Sequence, residues 1–461
     1  MAHIHPNFIY VICHDLGKHL GCYGATGVPS PNLDRFAADG VKFNSAFCSA
    51  AACTPSRGCA MTGQYSHTNG LMGLVNFGWS LPQETKTVVD YLNEAGYETA
   101  HFGLQHERYA GWANRYQIEG NPYIEGDRRG HRRVLAERAI TDAIAYLKER
   151  KGLDKPRPFY LNVGTVEVHA SRWGGLVPGS PRNRESIYGA VPPERAFIPH
   201  YIPDVPQLRR VMGKFEGAIR YLDNQVQRLF DAVEDLGYSE DTLVIFTTDH
   251  GIANMRSKWW IYDRGVEIAL IMRMPGTIGE GEVISDLIPN LDITPTILEA
   301  AGIEIPPAVQ GRSFWKRLTG GNYDPHEAIF VERNYQTDYD PMRAIRTERF
   351  HYIRNFGENP KKAWLPDEVP YMNETYDRYF YELWPEPSLS RDEEELFDVE
   401  QDPDEFVNLA YNSRYRDTKS RLAAQLDQWM RDTDDPLLKG PIPDRLYGWP
   451  KAIMLQGGYA D

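Results

Sequence analysis

A chain of 461 residues with 42% hydrophobic and 25% charged side chains can bury a large core, which sets aside disordered and fibrous classes. Its formal net charge of -14 argues against nucleic acid or an anionic membrane as partner, and no apolar run reaches the roughly 18 residues of a membrane helix. The five cysteines (Cys13, Cys22, Cys48, Cys53 and Cys59) all fall within the first 59 residues, an odd number at spacings that fit neither a disulfide framework nor a CxxC zinc pattern.

The start, "MAHIHPNFIYVIC", enters a strand-like run without a basic n-region, a signal core or a cleavage site. The chain as it stands therefore reads as cytoplasmic, with a periplasmic or secreted location left for a trimmed precursor. "NFIYVIC" (7–13) predicts the first strand. "SPNLDRFAADG" predicts a helix with Ser30 as cap, Pro31 in its first turn and Gly40 at its end. "VKFNSAF" and the Cys53 segment follow, then "TVVDYLNEAG" and "YETAHFG" as a helix–strand pair, and "PFYLNVGTVEVH" (158–169) as a further strand.

Leu222, Val226, Leu229, Val233 and Leu236 alternate spacings of four and three, which places a long helix over about 206–237, stopped by Gly237. "TLVIFTTDHG" (242–251) and "VEIALIMRMPG" (266–276) read as strands buried on both faces. This alternation predicts an α/β fold, a mainly parallel sheet flanked by helices. After "GRSFWKRLTGG" (311–321) the chain turns rich in Tyr, Pro and acidic residues. That shift divides a catalytic domain over 1–321 from a smaller α+β subdomain over 322–461, in which "RDEEELFDVEQDPDE" reads as a solvated loop.

Sites in parallel α/β sheets form beyond the carboxyl ends of the strands. His14 and Asp15 end the first strand, Glu167 and His169 the strand over 158–169, and Asp249 and His250 the strand over 242–251. Cys53, two residues before Pro55, belongs at a helix N-terminus, where free N–H groups and the dipole favour an anion, with Arg57 one turn along. Any one of these is most simply a cap or a hydrogen-bonded structural residue. Together they point to one site. Asp with His suits a divalent cation: carboxylates favour Ca²⁺ or Mg²⁺, and two imidazoles shift the balance towards Mn²⁺ or Zn²⁺. A tyrosine-phosphatase-like loop needs five residues between Cys and Arg, and here there are three.

"CTPSRGCAMTGQ" resembles the sulfatase signature C-x-P-S-R followed by a T-G stretch. "PNLDRFAADGVKFNSAF", "EAGYETAHFG", "LDNQVQRLFDAVEDLGYSEDTLVIFTTDHG", "SKWWIYDRGVEIALIMRMPG", "LDITPTILEAAG" and "ELFDVEQDPDEFVNLA" are similar to sulfatase segments in the same order, so the resemblance spans nearly the whole chain. "CTPSRGCAMTGQYSHTNGLMGL" looks most like the branch of the heparan N-sulfatases. The resemblance implies an alkaline-phosphatase/sulfatase-like fold that hydrolyses O- or N-sulfate from a sulfated saccharide.

It also implies that a formylglycine-generating or anaerobic sulfatase-maturing enzyme converts Cys53 to Cα-formylglycine, held by Arg57. His14, Asp15, Asp249, His250 and residue 53 would hold one divalent metal, calcium before magnesium, manganese or zinc. Lys258 and His169 would bind sulfate and protonate the leaving group, and His106 would take the proton that lets sulfate depart. Gln105, Arg108, Glu167 and Arg172 are the expected substrate contacts. Two positions depart from the family: His14 stands where a second Asp is usual, and Leu104 where "G-K-x-H" has its lysine. Alternatives are a phosphoester or phosphonate monoester hydrolase of the same superfamily and an inactive sulfatase-like binding protein.

Overall fold

The computed structural model describes residues 5–75, 78–108, 115–120, 136–169, 188–253, 256–335, 339–357 and 391–443. The apolar run β1 (Asn7–Cys13) is buried along its whole length, because it lies at the centre of a sheet covered on both faces. The other strands of this sheet are β2 (Val41–Phe43), β4 (Glu98–Gly103), β5 (Ile118–Glu119), β6 (Phe159–Gly164), β7 (Thr242–Thr248), β8 (Leu270–Arg273) and β9 (Glu282–Ile284), and the short strands β3 (Ala46–Phe47) and β10 (Ile288–Pro289) pair separately. The order is β5-β4-β6-β1-β7-β8-β2-β9. All neighbours run parallel except β8, which is antiparallel to β7 and β2.

Two expectations change here. The strand predicted over 266–276 spans only Leu270–Arg273. Its beginning is taken by the helical turn α7 (Asp263–Val266), where Gly265 lets backbone close up: a Cβ there would lie 2.2 Å from the Trp260 carbonyl. At α1 (Pro31–Ala38) Ser30 does not cap the helix. Its hydroxyl bonds Asp34, and Asp223 accepts the N–H groups of Asn32 and Leu33 at 3.2 and 2.8 Å instead.

Asp223 belongs to α6 (Pro206–Asp235), the long helix expected from its apolar stripe, and Leu222, Val226, Leu229 and Val233 are all buried. With α1 and α5 (Ala136–Lys151), it covers the face of β1 that carries Ile9, Val11 and Cys13. On the other face α2 (Cys53–Thr62), α4 (Val88–Glu94) and α8 (Ile293–Ala300) pack on Phe8, Tyr10 and Ile12. The alternation is the period of two of an extended strand. The short turn α9 (Trp315–Leu318) adds Leu318 to this layer, and α3 (Ser66–Asn69) follows α2, its His67 ring against Trp429. None of the described helices is long and apolar enough to cross a membrane.

Beyond them, β11 (Ala328–Tyr335), β12 (Tyr339–Thr347), β13 (Phe350–Asn355) and β14 (Glu394–Asp398) form an antiparallel sheet in chain order. One face adds Val331, Ala344 and Ile353 to the α2-side core, and the other is covered by α10 (Arg416–Asp432) through Leu422, Leu426 and Met430. The acidic run read as a solvated loop contains β14. Its Glu395 and Glu405 are buried because distant partners satisfy them: Glu395 accepts from the Tyr262 hydroxyl (2.8 Å) and Asn355 (2.9 Å), and Glu405 meets His351.

Candidate active site

β1 and β7 end level, Cys13 opposite Thr248, so the next residues of both chains leave at one edge. These are His14 and Asp15, and Asp249 and His250. Asp15 turns sharply, in the left-handed region at φ +52°, and its N–H donates to Asp249 Oδ1 at 3.0 Å. β6 ends at Gly164, five residues before the expected strand end at His169. A Cβ on Gly164 would lie 1.9 Å from the Leu104 carbonyl, so the backbones of β6 and β4 pinch together there and the chain leaves the sheet. The Val168 N–H then donates to the His14 carbonyl (3.1 Å), which returns His169 over the end of β1, its ring centroid 5.2 Å from that of His14.

Cys53 opens α2, as its position before Pro55 suggested, and is 3% exposed. Its Sγ lies 3.1 Å from His250 Nε2. Arg57, one turn on, donates through Nε to Asp249 Oδ2 (3.2 Å) and through Nη2 to the Cys13 carbonyl (3.3 Å). Lys258 bonds both oxygens of Asp15, at 2.8 and 2.9 Å, and stands 3.4 Å from His169 Nε2. The ring of His106 meets that of His14 edge-on at 5.6 Å.

Ligand atoms of His14, Asp15, Cys53 and Asp249 all lie within 4.8 Å of one another. His14 Nδ1 is 2.9 Å from Asp249 Oδ2 and 3.6 Å from Asp15 Oδ1, yet it is buried and makes no hydrogen bond. His250 joins at the side: its Nδ1 sits 2.8 Å from the Gly251 carbonyl, and its Nε2 is 3.3 Å from Asp15 Oδ1 and 3.6 Å from Asp249 Oδ1. A carbonyl only accepts, so Nδ1 carries a proton, and Nε2 faces the carboxylates and Cys53.

The charges are arranged against burial. Burial would push the Cys53 thiol up, but Lys258 and His250, with His106 beside it, outweigh that and bring it well below its ordinary value. Burial likewise opposes ionisation of Asp15 and Asp249. Lys258, then His169, holds the first far down, and His250, His14 and Arg57 the second. The set brings a thiol of lowered pKa, at a helix N-terminus, together with two charge-paired carboxylates in one buried cluster.

Three of the expected substrate contacts are engaged elsewhere. Gln105 closes its own turn, accepting the Arg108 N–H (3.1 Å) and donating to the Arg108 carbonyl (2.9 Å). Arg108 donates to the carbonyls of Pro82 (3.2 Å) and Thr85 (3.0 Å), so neither side chain takes the place of the lysine missing at the buried Leu104. Glu167 accepts from the Ala136 N–H and the Tyr188 hydroxyl, both at 2.9 Å, and so anchors the start of α5. Arg172 lies outside the described residues. Sequence reasoning passed over Ser56 and Asn290. The Ser56 hydroxyl donates to the Asp249 carbonyl (2.5 Å), and Asn290 bonds Ser56 Oγ (3.1 Å) and the Ser49 N–H (3.0 Å). Ser56 lies inside the quoted signature. Asn290 stands at no strand end of the central sheet and gave no signal.

The model of the sulfatase family matches residues 6–303. The chain belongs to the sulfatase family. A second family model, described as N-sulphoglucosamine sulphohydrolase, C-terminal, matches residues 249–378 of this sulfatase. The chain is 26% identical to an ulvan-active sulfatase of Formosa agariphila, over 93% of this chain and 75% of that one. It is 25% identical to human N-sulphoglucosamine sulphohydrolase, over 93% and 92%. A solved structure of a protein in complex with its substrate, D-glucosamine-2-N,6-O-disulfate, shares the fold at a TM-score of 0.72, with 19% identity over 95% of this chain and 99% of that one.

Proposed function

We propose that this sulfatase removes an O- or N-linked sulfate from a sulfated carbohydrate, with residue 53, as Cα-formylglycine, at the centre of the reaction. The observation that carries the reading is the convergence on Cys53, at the start of α2, of His250 on its sulfur and of Arg57, Lys258, His169 and His106 around it. Relatives named as sulfatases of ulvan and of N-sulphoglucosamine, and a glucosamine disulfate bound by a neighbour in fold, support the substrate class.

The donor set fits one divalent cation: two carboxylates, the unbonded Nδ1 of His14, residue 53, and the Nε2 of His250 beside them. Bound there, the cation would add positive charge at the sulfate oxygens and at residue 53, worth several kcal/mol in the transition state. Formylglycine would supply, as its hydrate, the attacking hydroxyl.

The remaining tasks fall to this chain's own side chains. Arg57, the N-terminus of α2 and Lys258 neutralise charge on the transferring group, and Asp15 fixes the Lys258 ammonium. His169, whose side chain is 16% exposed, gives a proton to the departing oxygen or nitrogen. His106, beside residue 53, accepts the proton from that residue's oxygen.

The decisive experiment assays protein co-expressed with a maturing enzyme on sulfate esters, sulfamates and phosphonate monoesters. Sulfate or sulfamate turnover is expected to lead. Preference for the phosphonate supports the superfamily alternative, and inactivity on all three at full conversion of Cys53 supports a binding protein. A second prediction concerns metal choice. Because each carboxylate added to the shell favours calcium, His14→Asp is expected to tighten Ca²⁺ about tenfold relative to Mn²⁺ or Zn²⁺ in competition titrations. Unchanged selectivity places His14 outside the shell.

A further inference from the structure

Lys258 rides on a loop, residues 256–263, that is hydrogen-bonded both within its own domain and to the C-terminal sheet and the segment after it. Within the domain the Lys258 and Trp259 N–H groups donate to the carbonyls of Ile252 (3.1 Å) and Ala51 (2.9 Å). From across the boundary, the Glu405 carbonyl accepts from Arg256 and its carboxylate from the Asp263 N–H, both at 2.6 Å, and Glu395 accepts from the Tyr262 hydroxyl at 2.8 Å. Arg346 of β12 grips the Asp263 carboxylate through Nε and Nη2 at 2.8 to 3.0 Å. His351 of β13 stands 2.5 Å from Glu405 and 3.3 Å from Asp263.

The loop needs such support. Arg256 and Trp259 adopt left-handed backbone at φ +54° and +79°, as does Glu405 at +57°, and none of them is glycine. Asp263, His351 and Glu405 bring ligand atoms within 4.8 Å of one another. The Arg346 guanidinium already shares that cluster, however, so two carboxylates face one guanidinium and one imidazole. That is a balanced ion network and no place for a further cation.

We propose that Glu405, His351 and Arg346 form a clasp on Asp263 through which the C-terminal sheet positions Lys258 against Asp15, so that these are positioning residues of the active site. The inference rests on the role given to Lys258 above. Burial opposes protonation of His351, but Glu405 and Asp263 raise it from 6.5 to about 9. The groups facing it are Asp263 on α7, Glu405 after β14, and Arg346 through Asp263. A raised value in the folded state means that the contribution is complete below pH 6.5 and is lost as pH rises through about 9.

The test is a double-mutant cycle in the matured full-length protein, on whichever sulfated substrate it turns over. Glu405→Gln is expected to lower kcat/KM about tenfold in the parent and less than about twofold in Lys258→Met, because misplacement matters only while the ammonium is present. Tyr262→Phe, which removes one hydroxyl bond and keeps the ring, should show the same pattern at smaller size, and carries the cycle if Glu405→Gln fails to fold. Equal losses in both backgrounds overturn the clasp. Full activity of Lys258→Met alone overturns the role of Lys258 instead. Hydrogen exchange then reads the clasp directly: amides of 256–263 should exchange faster at pH 9.5 than at 6.5, after correction for intrinsic rates, and faster at both in His351→Gln. No difference between parent and His351→Gln overturns it without reference to activity.

Discussion

Cys53→Ala is expected to abolish turnover, by at least about 10⁴-fold in kcat, the scale on which removing a nucleophile acts. Stability should change little. The alanine keeps the extended entry at Ala52 and the start of α2, and the sulfur gives up its contact with His250 Nε2 at 3.1 Å. His250 retains the Gly251 carbonyl, and Lys258 retains both oxygens of Asp15, so no buried charge is stranded. None of the other four cysteines has Pro and Arg at the offsets of Pro55 and Arg57. Mass spectrometry of the parent co-expressed with a maturing enzyme should therefore find the aldehyde on the Cys53 peptide alone, with activity tracking its fraction. Full activity of Cys53→Ala, or a modified peptide elsewhere, removes residue 53 from the centre of the reaction.

The site was legible where local pattern decides geometry. β1 and β7 are continuous apolar runs because both of their faces are covered, and the polar pairs that end them had to emerge at one edge. Cys53 before Pro55 marked a helix start, and the stripe of α6 gave its length. What stayed hidden depends on contacts far apart in sequence. β6 stops at Gly164, where the Leu104 carbonyl, one residue past β4, lies against it. Arg108 was a free cation on paper, and the carbonyls of Pro82 and Thr85 claim it. An acidic run looks solvated until Tyr262, His351 and Arg256 arrive from elsewhere in the fold and bury Glu395 and Glu405. The same principle separates these cases: periodicity reports which face is buried, and nothing local reports which distant partner neutralises a charge.

His169→Ala carries the second large effect, and its size should depend on the leaving group. His169 ends the loop that the Val168–His14 hydrogen bond folds back over β1, and its side chain is partly open to solvent beside the buried cluster. Its neighbour Lys258 is tied to Asp15 by two hydrogen bonds, and the Asp15 charge holds the ammonium well above the usual lysine value against burial. Lys258 therefore keeps its proton and supplies charge, while the imidazole 3.4 Å away can transfer one. A sugar hydroxyl or amine is a poor leaving group without that proton, so the alanine variant should lose about 10²- to 10⁴-fold on saccharide sulfates and sulfamates. A nitrophenyl sulfate departs as a stable phenolate and should lose less than about tenfold, since only positioning is then missing. Plotting log kcat against leaving-group pKa gives the test a slope: steeper in His169→Ala than in the parent if the residue is the acid. Parallel lines, with equal losses on aryl and sugar sulfates, assign His169 to binding and leave the leaving group to another donor.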